Sequence, residues 1–258
     1  MKDGCLEVRN VSHVFRGGVA AVHDVSFQIE RGSFVSLLGP SGCGKSTLFN
    51  VIAGLLTPTA GDVLLNGESM LGKTGRVGYM LQKDLLLPWR TIEDNITISQ
   101  TLRGIPKRRA RSECTALMER CGLSGFSHAR PHELSGGMRQ RAALMRTLMT
   151  GRELLLLDEP FGALDALTRL QLQLLLCEIW QDTRRTILLV THDVDEALLL
   201  SDEIIVMTER PGTVLARLPV PADRPRSPET LASPEMAALK AQLLGLLWRE
   251  AHGKEADA

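Results

Sequence analysis

The stretch Gly39-Pro40-Ser41-Gly42-Cys43-Gly44-Lys45-Ser46-Thr47 constrains this chain more than any other. It fits the pattern G-x-x-x-x-G-K-[ST], and its flanks are those the pattern requires. The apolar run from Ser33 to Leu38 reads as a buried strand, and Ser46 to Gly54 reads as a helix. Glycines let the backbone curl until successive N–H groups face one anion. The helix N-terminus adds further N–H donors and partial positive charge. Lys45 is then placed to reach β- and γ-phosphates, and the Ser46 hydroxyl to bind Mg²⁺. A glycine turn can match by accident, but a random chain of this length does so only about 1% of the time.

The bulk numbers set bounds. The 258 residues suffice for one large domain or two small ones. With 44% hydrophobic residues, 23% charged residues and a formal net charge of zero, the composition is ordinary globular and no bulk positive field invites nucleic acid. The longest apolar runs, Leu154 to Leu157 and Ala197 to Leu200, fall far short of the ~18 residues that span a bilayer. Met1-Lys2-Asp3-Gly4-Cys5 does not read as a secretory signal. The cysteines at 5, 43, 114, 121 and 177 are scattered and odd in number, and are expected to be reduced, as in a cytosolic protein.

The rhythm of the chain changes twice. Leu6 to Val11 and Val25 to Glu30 alternate at period two, which predicts half-exposed antiparallel strands with turns at Gly17-Gly18 and Arg31-Gly32. Gly61 to Gly67 adds a strand and turn, and Arg76 to Gln82 a strand of the main sheet. From Thr91 to Cys121 the pattern is helical, with Thr91 as the cap. The basic run Lys107-Arg108-Arg109-Ala110-Arg111 reads as a solvated helix start, because no aromatics are interleaved with it. Beyond Gly137 helices alternate with the apolar strands Glu153–Asp158, Thr186–Thr191 and Glu203–Met207, which predicts a parallel sheet covered on both faces. Residues 210–234 carry six prolines and read as an extended wrap or linker. Ser233-Pro234-Glu235 then starts a last helix to about Arg249, with a fraying tail from His252.

Two further constellations carry chemistry. Leu154 to Leu157 ends in Asp158-Glu159, and ligands gather at the carboxyl ends of parallel strands. Asp158 is placed to face the Mg²⁺ that Ser46 touches, and Glu159 to hold a water in line with a γ-phosphate. Adjacent acids also occur as plain strand ends; the glycine loop makes the catalytic reading the stronger. In Leu134-Ser135-Gly136-Gly137-Met138, Ser135 caps a helix that begins with two glycines. Each glycine costs about 1 kcal/mol of helix propensity, which makes sense if the backbone must approach an anion closely. One chain then has two phosphate-binding ends, and a symmetric pair would let each complete the other's site. His192, at the end of another buried strand, can hydrogen-bond a γ-phosphate.

Together these residues resemble the nucleotide-binding subunit of ABC transporters, over roughly residues 5–218. The resemblance rests on Walker A (Gly39–Thr47), the Q-loop glutamine Gln82, the signature Leu134–Met138, Walker B (Leu154–Asp158) with Glu159, the D-loop Ala163-Leu164-Asp165 and the switch His192. It implies an α/β P-loop NTPase fold with a mixed, mostly parallel core sheet, an antiparallel β subdomain and a helical signature subdomain. The implied division is an ATP-binding domain at 5–218, with a helical insert at about 91–150, then a Pro-rich linker and C-terminal helix at 219–258. ATP would lie between the Walker A of one chain and the signature of a second copy, contacted by Phe15 on adenine, by Gly39, Pro40, Ser41, Gly42, Cys43, Gly44, Lys45, Ser46 and Thr47, and by Ser135, Gly136, Gly137 and Asp165. Ser46, Gln82 and Asp158 would hold Mg²⁺, while Glu159, His192, Lys45 and Gln82 would serve catalysis. Cys43, beside Lys45, would be a thiol that maleimide modifies and ATP protects.

Gln82 to Thr91 and Phe161 to Arg169 look like the corresponding segments of nitrate/sulfonate/taurine-type importers. The resemblance then implies an integral membrane permease that docks on Leu87–Arg90, a solute-binding protein, a homodimer, a place on the cytoplasmic face of the membrane and no nucleic acid. Exporter cassettes share every motif. A DNA-repair relative would separate its halves by a long coiled coil, whereas about ninety residues separate Lys45 from Ser135. A translation factor of this type usually carries two cassettes, and a regulatory binder would lack Glu159 and His192.

Overall fold

The computed structural model describes residues 4–162 and 164–252. Ala163 of the D-loop and the tail beyond His252 lie outside the described residues. The chain forms two compact units, one built from residues up to Val77 and from Arg184 onward, the other from Gly78–Thr183.

The first unit opens with strands β1 (Gly4–Val14), β2 (Ala20–Glu30) and β3 (Phe34–Leu38), helix α1 (Lys45–Ile52), and strands β4 (Ala60–Leu65) and β5 (Glu68–Ser69). β1 pairs antiparallel with β2 and β4, and β4 with β5. Along β2, Val25, Phe27 and Ile29 are buried while Ser26, Gln28 and Glu30 are exposed, the period of a one-faced sheet.

The second unit holds β6 (Gly78–Met80), helices α2 (Ile92–Ile96), α3 (Ile98–Leu102), α4 (Lys107–Arg120) and α5 (Gly136–Leu148), strand β7 (Leu154–Asp158) and helix α6 (Ala166–Thr183). β6 and β7 pair in parallel. Thr91 caps α2, its hydroxyl accepting from the Asp94 N–H at 3.1 Å. The helical pattern expected over 91–121 is met by three helices: the chain turns at Thr97, and Gly104-Ile105-Pro106 follows α3, Gly104 being left-handed at φ 74°. The basic run starts α4 as expected, with Arg109 on Glu113 at 2.8 Å and Arg111 on Glu93 at 2.6 Å.

The chain returns to the first unit with β8 (Thr186–Thr191), α7 (Val194–Leu200), β9 (Glu203–Met207), β10 (Val214–Pro219) and α8 (Pro234–His252). β3 lies parallel between β8 and β9 and is buried throughout, and β10 closes antiparallel on β9. Residues 210–234 are thus more than a linker. Their prolines flank a real edge strand, with Pro219 at its last position, where a missing N–H costs no central ladder bond. α8 begins at Pro234 under a Ser233 cap, whose hydroxyl accepts from the Met236 N–H at 3.3 Å. Met236, Leu239 and Leu243 then pack with Val194, Ala197 and Leu198 of α7 in one core. Each of the Met, Leu and Val side chains contributes roughly 1.5–3 kcal/mol by burial. Among the described residues no helix is long and apolar enough to cross a membrane.

Candidate functional site

In the first unit, β3 delivers the glycine loop. Leu38 is opposite Thr191 in the parallel register, so Gly39 and His192 leave neighbouring strands at the same carboxyl end. Gly44 caps α1 at φ 105°, and a Cβ there would lie 2.5 Å from the Ala21 carbonyl oxygen, so only glycine permits the turn. Lys45 is 6% exposed. Its ammonium donates to the Gly39 and Pro40 carbonyls, each at 2.7 Å, which satisfies a buried charge and bends the loop around it. Ser46 is exposed on the first turn of α1. Phe15, 44% exposed beyond the end of β1, meets the His13 ring edge-to-face at 4.7 Å. Cys43 departs from expectation: it is 1% exposed, with Sγ 3.7 Å from Lys45 Nζ, so the thiol is closed to a reagent such as maleimide.

In the second unit, β6 and β7 end side by side, with Met80 opposite Leu157. Gln82 and Glu159 therefore stand two residues beyond paired positions, and Gln82 Nε2 donates to Glu159 Oε2 at 3.2 Å. Glu159 is held at φ 48°, in the left-handed region that glutamate rarely adopts. Asp158 is 4% exposed at the strand end. Burial, and then the Asp158 charge, pushes the Tyr79 phenol above its usual range. Ser135 caps α5, its hydroxyl accepting from the Met138 N–H at 3.3 Å, and leaves the Gly136-Gly137 turn near the surface. Asp165 caps α6: the Thr168 N–H donates to it at 3.0 Å and holds the carboxyl below its usual range.

Two features of the site escaped the sequence reading. The first is a clamp on the segment after Gln82. Arg139 of α5 donates to Asp84 at 3.1 Å and to the Leu134 carbonyl at 2.7 Å. Arg146, about two turns nearer the helix end, donates to the Asp84 and Leu85 carbonyls. Burial holds the Arg146 guanidinium below its usual range, with Asp84 opposing. Asn95, fully buried in α2, accepts from the Leu87 N–H at 2.7 Å and donates to the Leu87 and Thr91 carbonyls. The clamped segment presents Trp89, 69% exposed, and Leu85. The second is the loop Arg210-Pro211-Gly212, which lies against the phosphate loop in the first unit. Neither has a local sequence signal, because each rests on contacts between distant residues.

A phosphate loop on a parallel strand, a helix-capping Ser-Gly-Gly and a strand ending in Asp-Glu define an ATP-binding cassette. The sequence pattern of the ABC transporter family matches residues 22–162. The chain is 47% identical over 201 residues to the taurine import ATP-binding protein TauB of Yersinia pestis bv. Antiqua (strain Antiqua), covering 78% of this chain and 79% of that protein. It is 41% identical over 254 residues to TauB of Jannaschia sp. (strain CCS1), covering 94% of both. A solved ATP-binding cassette, a dimer in a post-hydrolysis state bound to ADP and Pi, superposes with a TM-score of 0.75 at 27% identity, covering 84% of this chain and all of that one. The chain belongs to the ABC transporter ATP-binding family.

Proposed function

We propose that this chain is the ATP-hydrolysing subunit of an ABC importer for a small anion or sulfonate-like solute. It works as a homodimer on the cytoplasmic face of the membrane, under an integral permease fed by a solute-binding protein. The extent of similarity to taurine import proteins supports the importer reading. The observation that carries the docking role is the clamped segment 84–90, which fixes an exposed Trp89 where a permease can grip it.

In this reading the loop Gly39–Thr47 wraps the ATP phosphates and Phe15 stacks on adenine. Lys45 neutralises γ-phosphate charge, together with Ser135 and the Gly136 and Gly137 N–H groups of the partner copy; Asp165 borders the same interface. Such positioning and electrostatics supply most of the gain in phosphoryl transfer. Ser46, Gln82 and Asp158 would hold Mg²⁺, since hydroxyl, amide and carboxylate oxygens are the hard donors that suit it. When bound, that ion would supply positive charge to offset the charge of the phosphates. Glu159 orients or deprotonates the attacking water, and Gln82 and His192 sense the γ-phosphate. Closing on ATP and opening after hydrolysis drives the permease by a rigid-body switch.

The test is gentle purification from native membranes, with identification of what travels with the protein by mass spectrometry. A polytopic membrane protein, with or without a solute-binding protein, is the expected companion. Recovery with nucleic acid or ribosomal proteins instead would overturn the transport reading and leave the ATP site standing.

A further inference from the structure

The carbonyl groups of the phosphate loop need partners. A loop whose N–H groups converge on an anion turns its carbonyls outward, and each must be satisfied there. Lys45 holds the Gly39 and Pro40 carbonyls. The Gly42 carbonyl, at a residue with φ 77°, accepts from Arg210 Nε at 3.2 Å. A second cation, 168 residues away in sequence, therefore holds another carbonyl of the loop.

Arg210 is itself held in place. The Gly212 N–H donates to the Ala21 carbonyl and the Gly212 carbonyl accepts from the His23 N–H, both at 3.0 Å, which ties this loop to β2. A Cβ at 212 would lie 2.1 Å from the Cys43 carbonyl oxygen, so glycine alone lets the two loops touch. On the other side of Arg210, the Glu209 N–H donates to Glu250 in the last turns of α8 at 3.1 Å. A chain of contacts thus runs from the C-terminal helix to the phosphate loop within one unit.

We propose that Arg210 is a positioning residue for the phosphate loop, set in place by Gly212 and by Glu250 of α8. It holds the Gly42 carbonyl outward, so the neighbouring N–H groups face the phosphates, and it adds positive charge beside the anion. The proposal rests on the reading of Gly39–Thr47 as the ATP cradle. Charge-assisted hydrogen bonds are stronger than neutral ones, and an exposed guanidinium is partly screened by water. A modest effect on nucleotide affinity is therefore expected, with little effect on the chemical step.

The experiment compares wild type with Arg210→Met, Arg210→Lys, Glu250→Ala and Lys45→Ala. It reads the Kd for ADP, the KM and kcat for ATP, and the nucleotide-free unfolding temperature. Arg210→Met should weaken ADP binding about three- to tenfold and raise KM in step, with kcat within about twofold and the unfolding temperature unmoved. Arg210→Lys should recover part of the loss, and Glu250→Ala should show a smaller shift in the same direction. ADP affinity within about 1.5-fold of wild type in Arg210→Met would overturn the proposal. So would a loss that comes with a lower unfolding temperature and no rescue by lysine, since that pattern marks a merely structural contact. If Lys45→Ala still binds ADP normally, the cradle reading itself falls, which is a separate result from any behaviour of Arg210.

Discussion

Arg139 Nε donates to the Asp84 carboxylate at 3.1 Å, while another arm of the same guanidinium holds the carbonyl of Leu134, the residue before the Ser135 cap. The start of the signature helix and the segment after Gln82 are thus fastened by one side chain. Both partners are partly buried, at 35% and 30% side-chain exposure. A double-mutant cycle of Arg139→Ala and Asp84→Ala in urea should give a coupling of about 0.5–1.5 kcal/mol. Strictly additive effects would mean that the pair contributes nothing in solution.

Glu159→Gln keeps the length of the side chain and an oxygen for the Gln82 contact, and removes the carboxylate proposed as the base. Hydrolysis should fall about 10²–10⁴-fold, the usual weight of a general base, with ATP binding retained. ATP should then hold a dimer on a sizing column. Near-normal turnover would take the role from Glu159.

Lys45→Ala removes the donor of the two 2.7 Å bonds to the Gly39 and Pro40 carbonyls as well as the charge proposed to meet phosphate. Calorimetry should show nucleotide binding lost.

Trp89 is mostly exposed, so Trp89→Ala should change stability by no more than about 0.5 kcal/mol. ATP hydrolysis by the isolated protein should also be unchanged. Pull-down of the permease should be strongly reduced, as expected for an aromatic anchor. Undiminished capture would place the docking contact elsewhere.

All five cysteines are buried. Burial, and then the Glu93 charge, pushes the Cys114 thiol up to about 12. Burial pushes Cys121 up to about 11, with Arg141 and Arg120 opposing. The thiolate is the reactive form, so at neutral pH these groups are both shielded and protonated. Intact-mass analysis after a short maleimide pulse should show no adduct on the native protein and full labelling after unfolding. A rapid single adduct on Cys43 would restore the maleimide-accessible thiol expected from the sequence.

What could be read from the residues alone was whatever is encoded locally. The loop between β3 and α1 is legible because its glycines, Lys45 and flanking apolar run are contiguous. The strands at 154–158, 186–191 and 203–207 are legible because burial on both faces writes an unbroken apolar run. The antiparallel strands show their one buried face by alternation. The Arg139–Asp84 tie spans 55 residues and the Arg210–Gly42 bond spans 168, and nothing near either arginine announces its partner. β10 was hidden by the prolines around it, and the burial of Cys43, whose Sγ lies close to Gly39, is a matter of packing that no neighbouring residue reveals.

The backbone at Glu159 carries one more consequence. At φ 48° a side chain with a Cβ sits at a cost of about 1–2 kcal/mol relative to glycine. Were only the fold at stake, glycine or asparagine would serve better there, and stability-guided redesign of this protein would pick 159 among its first positions to change. A thermally hardened version obtained in that way would gain a few degrees and give up its glutamate. The left-handed glutamate after β7 is thus also the one proposed to act in hydrolysis, and an engineer should leave it alone.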